Sequence, residues 1–111
     1  YCTDCRKVSG TDGYAAYIVQ RTDLTLDQGQ PSRFSVTAKS GRTNTRNFCG
    51  ACGSRLWADV DIGATGAISV ASVAGGSLDD PEMFQPTMIH CENDAPSWGR
   101  VPSHLDSLPQ S

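Results

Sequence analysis

Asn47-Phe48-Cys49-Gly50-Ala51-Cys52-Gly53-Ser54-Arg55-Leu56 places two thiols in a tight turn between two extended, apolar-containing runs. A two-residue gap lets both thiolates reach one tetrahedral ion, so a CxxC turn is read first as half of a zinc site. The run ending at Phe48 and the run Arg55-Leu56-Trp57-Ala58 are then two strands joined by a zinc knuckle. A second CxxC, Cys2-Thr3-Asp4-Cys5, opens the chain. Residues 6 to 48 between the pairs are too many for a compact zinc ribbon. If all four sulfurs meet, a small sheet must be folded between them, and the metal would staple the domain.

Outward from the knuckle, the patterns are those of strands and turns. Tyr14-Ala15-Ala16-Tyr17-Ile18-Val19 is rich in aromatic and β-branched residues and is preceded by Gly13, which predicts a buried strand. Leu24 and Leu26 alternate with polar residues, as do Phe34 and Val36, and Gln28-Gly29-Gln30-Pro31 lies between; the pattern predicts a hairpin. Residues 67–73 alternate as a strand that Gly75-Gly76 stops. Asp80 as a cap and Pro81 at a first helical position predict one short helix turn within 77–84. Thr87-Met88-Ile89-His90-Cys91 reads as a last extended segment, and 93–111 as an extended tail. The fold class expected is all-β, with knuckle loops and at most one short helix.

The chain has 111 residues, 38% of them hydrophobic, which is the size of one domain (1–111) with a thin core. Structural zinc contributes on the order of 10 kcal/mol of apparent folding free energy in such domains. The formal charge is −3 with Lys and Arg scattered, so no electrostatic footprint for nucleic acid appears. No apolar run reaches the length of a membrane span. Five cysteines at metal-type spacing favour a reducing, cytoplasmic setting over a disulfide framework.

Tyr-Cys-Thr-Asp-Cys-Arg-Lys-Val-Ser-Gly at 1–10, Asn-Phe-Cys-Gly-Ala-Cys-Gly-Ser-Arg-Leu at 47–56, Gly-Ser-Leu-Asp-Asp-Pro at 76–81 and Trp98 together resemble the glutathione-dependent formaldehyde-activating enzyme family, which includes centromere protein V. The resemblance implies an Mss4-like twisted β-sandwich, zinc as cofactor, and glutathione and formaldehyde as the small thiol and aldehyde partners. The reaction implied is that of a carbon–sulfur lyase of the S-(hydroxymethyl)glutathione synthase type. Cys2 and Cys5 match the last two thiolates of a C-x-C-x-x-C loop that holds a zinc with an open position, and they become the catalytic pair. Cys49 and Cys52 match half of a closed, structural zinc site. The third loop cysteine and an earlier C-x-C strand have no counterpart after Tyr1, so the chain is expected to be an N-terminally truncated member. Two arrangements remain open: one site shared by Cys2, Cys5, Cys49 and Cys52, or two incomplete sites.

For substrate binding, Arg6 and Lys7 are placed to meet a glutathione carboxylate, with Ser9 and Gly10 shaping the backbone beside it; the alternative is that both cations only solvate a loop. A noncatalytic zinc-stapled binding domain is the competing reading. B-type methionine sulfoxide reductases share paired CxxC motifs and a later cysteine, for which Cys91 would stand. The tryptophan-rich segment that they carry between the pairs is absent, because Trp57 and Trp98 both follow the second pair. Cys91 reads as a small buried residue, Asp79 and Asp80 as capping groups, His104 as exposed, and Trp57 and Trp98 as core or pocket wall.

Overall fold

The computed structural model describes residues 1–38, 40–63 and 65–108. The chain divides into two compact units, Ala16–Pro81 and Tyr1–Ala15 with Glu82–Ser111. One α-helix is present among the described residues, α1 (Thr3–Ser9); the remaining regular structure is strand and single 3-10 turns. The all-β expectation is met, and the arrangement is compatible with an Mss4-like fold. No helix among the described residues is long and apolar enough to cross a membrane.

The Ala16–Pro81 unit is a five-stranded antiparallel sheet built from β1 (Ala16–Gln20), β2 (Ser32–Thr37), β3 (Thr43–Phe48), β4 (Arg55–Val60) and β5 (Val70–Ala74), in the order β1-β5-β4-β3-β2. β4 is central and its last four residues are buried, as expected of a strand flanked on both sides. The predicted β3–β4 hairpin around the cysteine turn is formed, with the register shifting between Asn47 and Phe48 beside that turn. Gly75–Ser77 ends β5 as a 3-10 turn, as the glycine pair implied.

Two expectations are corrected. The segment containing Leu24 and Leu26 forms no strand; β2 pairs instead with β3 along its full length, Ser32 to Phe48 through Thr37 to Thr43. A long antiparallel partner supplies a whole ladder of backbone hydrogen bonds, which a two-leucine segment cannot match. The strand predicted over Tyr14–Val19 is β1, but it is an edge strand and not a buried one: Ile18 is 59% exposed.

Because side chains alternate across a pleated sheet, the cross-strand register defines rows. One row runs Tyr17, Val73, Trp57, Asn47, Arg33, and the next on the same face runs Val19, Ala71, Asp59, Thr45, Ser35. Trp57 Nε1 donates to Asp59 Oδ1 over 2.9 Å, Asn47 Nδ2 donates to Asp59 Oδ2 over 3.3 Å, and Arg21 Nε lies 2.8 Å from Asp59 Oδ1. Arg33 Nε donates in turn to Asn47 Oδ1 over 3.0 Å. Asn47 is fully buried and Asp59 nearly so, so this network satisfies polar groups that would otherwise be costly to desolvate.

The other unit contains α1, β6 (Met88–His90) and β7 (Asp106–Leu108), the last two paired in parallel. The expected extended segment at 87–91 is β6, and the tail beyond residue 93 carries β7. The helix turn expected within 77–84 is a single 3-10 turn, Pro81–Met83, while the α-helix lies at the first cysteine pair. Trp57 is core as expected, but Trp98 is 65% exposed and is not; it sits on the Pro96–Gly99 turn, where Gly99 N donates to Pro96 O.

If Asp59 organises the sheet, Asp59→Ala, which strands several buried donors, should lower stability by about 3 to 5 kcal/mol in urea unfolding. Trp57→Phe, which keeps an aromatic ring and loses one donor, should cost about 1 to 2 kcal/mol. The reverse ranking would show that packing of Trp57 contributes more to stability than the carboxylate does.

Candidate functional site

Cys2 is the N-cap of α1, with extended φ and ψ, and its sulfur accepts a hydrogen bond from Cys5 N over 3.2 Å. A serine or aspartate oxygen does this job in most helices; here the thiol does it, and the geometry brings Cys2 Sγ to 2.8 Å from Cys5 Sγ. Asp4 in the first turn complements the helix dipole, and Gly10, with φ 73°, ends the helix by donating its N–H to Arg6 O. An acidic first turn and a glycine just past the last helical residue are the sequence signals that locate this helix. A cysteine cap masks them.

The helix sorts the predicted substrate residues. Cys5 and Ser9 are four positions apart and share a face, whereas Lys7, two positions after Cys5, lies roughly 200° around the axis from it. Arg6 is half-buried and Lys7 exposed. Ser9 Oγ donates to Arg6 O over 3.3 Å and accepts from Thr11 N over 3.1 Å, so Ser9 and Gly10 together hold the exit of the helix. Asp12 and Tyr1 fasten the same region to the tail: Arg100 N donates to Asp12 Oδ2 over 2.8 Å, and Tyr1 Oη donates to Arg100 O over 3.1 Å. Burial, then the nearby Asp12 and Glu92 carboxylates, push the Tyr1 phenol above its ordinary pKa.

The second pair has a different scaffold. Cys49 N donates to Ser54 O and Gly53 N to Cys49 O, closing the hairpin turn with Gly53 in the left-handed region at φ 80°. A Cβ on Gly50 would come within 2.6 Å of Ser32 Oγ, so the turn lies against β2 at Ser32, whose hydroxyl would have to rotate away from any larger residue. Cys52 is exposed, with its sulfur 3.2 Å from Ser54 Oγ. Hydrogen bonds from the Ser54 side chain and then its backbone, with a smaller one from Cys49, hold the Cys52 thiol below its ordinary pKa against desolvation. A shallow cavity of about 340 Å³ opens beside Cys49, walled by Leu26, Pro31, Gly50 and Leu56.

Each pair therefore presents two soft sulfur donors on one turn, the chemistry that zinc selects. Among the described residues, no third Cys, His, Asp or Glu joins either pair in a metal-holding group. The donor type fits zinc, and each pair supplies two of the three or four ligands that zinc takes from protein. Cys91 is buried at the end of β6, its N–H bonded to Leu108 O, as befits a packed thiol.

A family model described as glutathione-dependent formaldehyde-activating enzyme matches residues 1–93. No curated protein and no solved structure matches the chain.

In metal-free protein, Cys52 should alkylate with iodoacetamide at a pH below the ordinary thiol range, because its lowered pKa keeps thiolate present there. Ser54→Ala should move that pH profile upward. A profile that ignores Ser54 would remove the hydroxyl as the cause.

Proposed function

The chain belongs to the glutathione-dependent formaldehyde-activating enzyme family, and from that premise we propose that it joins glutathione to formaldehyde as S-hydroxymethylglutathione, acting as a carbon–sulfur lyase of that type. At the level of the family, the function is formaldehyde-activating and glutathione-related. The observation that carries the finer reading is the helix-borne thiol pair, Cys2 Sγ and Cys5 Sγ 2.8 Å apart, with Arg6 as the next residue.

In this reaction the glutathione thiolate attacks the aldehyde carbon, a carbon–sulfur bond forms, and the former carbonyl oxygen takes a proton. Zinc held by Cys2 and Cys5 would lower the pKa of an incoming thiol or polarise the carbonyl. The cap geometry of α1 holds the Cys2 and Cys5 sulfurs side by side. Arg6 binds a carboxylate of the tripeptide by a charge-assisted hydrogen bond. Ser9 and Gly10 keep the helix exit fixed, so that Arg6 stays beside the thiols; Lys7, on another face, contributes charge at longer range. Cys49 and Cys52 would supply two thiolates to a structural zinc, anchoring the hairpin turn.

Exchange NMR of glutathione with formaldehyde should show adduct formation faster with the protein than in buffer. Cys5→Ser should return the rate to that of buffer. Arg6→Ala should raise KM for glutathione about tenfold with a smaller effect on kcat. Metal analysis should find less zinc in both Cys5→Ser and Cys49→Ser, with the melting temperature falling mainly in the latter. A zinc-loaded protein that leaves the rate at that of buffer would identify a noncatalytic zinc-binding domain instead.

A further inference from the structure

The five-stranded sheet has two edges, β1 and β2, and they are guarded differently. A free edge presents unpaired N–H and C=O groups, a template on which another strand can form. On β2 stands Arg33, and the Arg46 guanidinium lies over the Phe34 ring, so a strand arriving there meets charge. β1 reads Ala16-Tyr17-Ile18-Val19-Gln20, with no charge, proline or glycine, and Ile18 at its centre is 59% exposed. None of the usual guards stands on this edge.

The register shows which of its backbone groups are open. Arg21 N donates to Ser69 O, directly across from it in continuation of the β1–β5 ladder. Bonded and non-bonded positions alternate along an antiparallel pair, so Tyr17 and Val19 aim their N–H and C=O at β5. Ala16, Ile18 and the N–H of Gln20 face outward, and among the described residues no other element bonds to the backbone of Ala16 or Ile18. The segment is also complementary to itself in the reverse direction. With a twofold axis at Ile18, the two Ile18 residues exchange both hydrogen bonds and bury their exposed side chains on each other, while Ala16 pairs with Gln20 at either end. Tyr17 of each copy then stands opposite Val19 of the other, at the closer-spaced positions where an aromatic and a β-branched side chain pack well. No like charges meet anywhere along the strand.

We propose that β1 is the pairing surface for a second copy of this chain, joined antiparallel about a twofold axis at Ile18 so that the two sheets run on as one. The lack of charge selects the occupant: an acidic or basic peptide gains nothing from this edge, whereas a second copy brings a matching uncharged strand in the self-complementary manner of a twofold interface. β1 has five residues, few beside the roughly 20 to 30 a side of a stable interface, so the pair is reversible and forms at high concentration.

Sedimentation equilibrium of the full chain over a range of concentrations tests this, with reductant and chelator present so that neither a disulfide nor a metal bridges the cysteine pairs. The mass of wild type should climb from that of one chain toward that of two, and Ile18→Lys should hold it at one. Phe34→Lys, on the other edge, should leave the climb intact. Amide exchange followed by NMR on wild type gives a readout that needs no substitution. The amides of Ala16, Ile18 and Gln20 should slow by about tenfold where roughly nine-tenths of the chains are paired, since exchange then proceeds through the free chain. Those of Tyr17 and Val19, bonded to β5, should change much less. A wild-type mass that stays at one chain throughout would overturn the proposal. So would pairing that survives Ile18→Lys, or pairing that leaves the outward amides of β1 unprotected, either of which would put the contact on another surface.

Discussion

The carboxylate of Asp59 is the constraint on which the sheet depends. It sits on the central strand and receives hydrogen bonds from Trp57 and Asn47 and an ion pair from Arg21. A slip of one residue between β3 and β4 would move Asn47 to the other face and take from the buried acid the donor that β3 supplies. The acid therefore specifies register more than it adds stability, a role buried polar groups fill at a cost in desolvation. Register in turn fixes where the hairpin turn begins, and hence where Cys49 and Cys52 stand.

The two thiol pairs reach similar local geometry by different means. At Cys2 and Cys5 the spacing of a helix cap does the work, with a sulfur replacing the usual oxygen. At Cys49 and Cys52 it is a hairpin turn that needs Gly53 to enter the left-handed region. The difference has a functional side. A short helix carries Arg6 and Ser9 on the same element as its thiols, so the proposed substrate contacts and the sulfur donors share one scaffold. Beside its thiols the hairpin turn has Ser54, backbone groups and the apolar side chains of Leu26, Pro31 and Leu56.

Aromatic and apolar exposure follows position in the sheet. Ala58 on β4 is fully buried, whereas Ile18 on β1 and Phe34 on β2, in the same cross-strand row, are each more than half exposed. Arg46 covers part of this exposure by lying over the Phe34 ring at 6.0 Å, a contact that stabilises modestly at an accessible site. Edge strands with a long charged side chain draped across them are also poor templates for pairing with another chain.

The sequence by itself determined the all-β class, the family, the β3–β4 hairpin around Cys49 and Cys52, the existence of β5, read as 67–73 and found at Val70–Ala74, and the burial of Trp57 and Cys91. These rest on local signals: alternation, turn residues and the spacing of thiols. It did not reveal that β2 pairs with β3 and leaves Leu24 and Leu26 outside the sheet, that β1 is an exposed edge, that the first cysteine pair caps a helix, or that Trp98 lies in the open. Nor did it show the bonds from Arg100 to Tyr1 and Asp12, which join residues far apart in the chain. Strand partners and edges are settled by competition among all the segments of a chain for the same backbone hydrogen bonds, and no segment carries the outcome in its own residues. A tether across nearly ninety residues is likewise invisible to spacing, because only the folded backbone brings its two ends within hydrogen-bond reach.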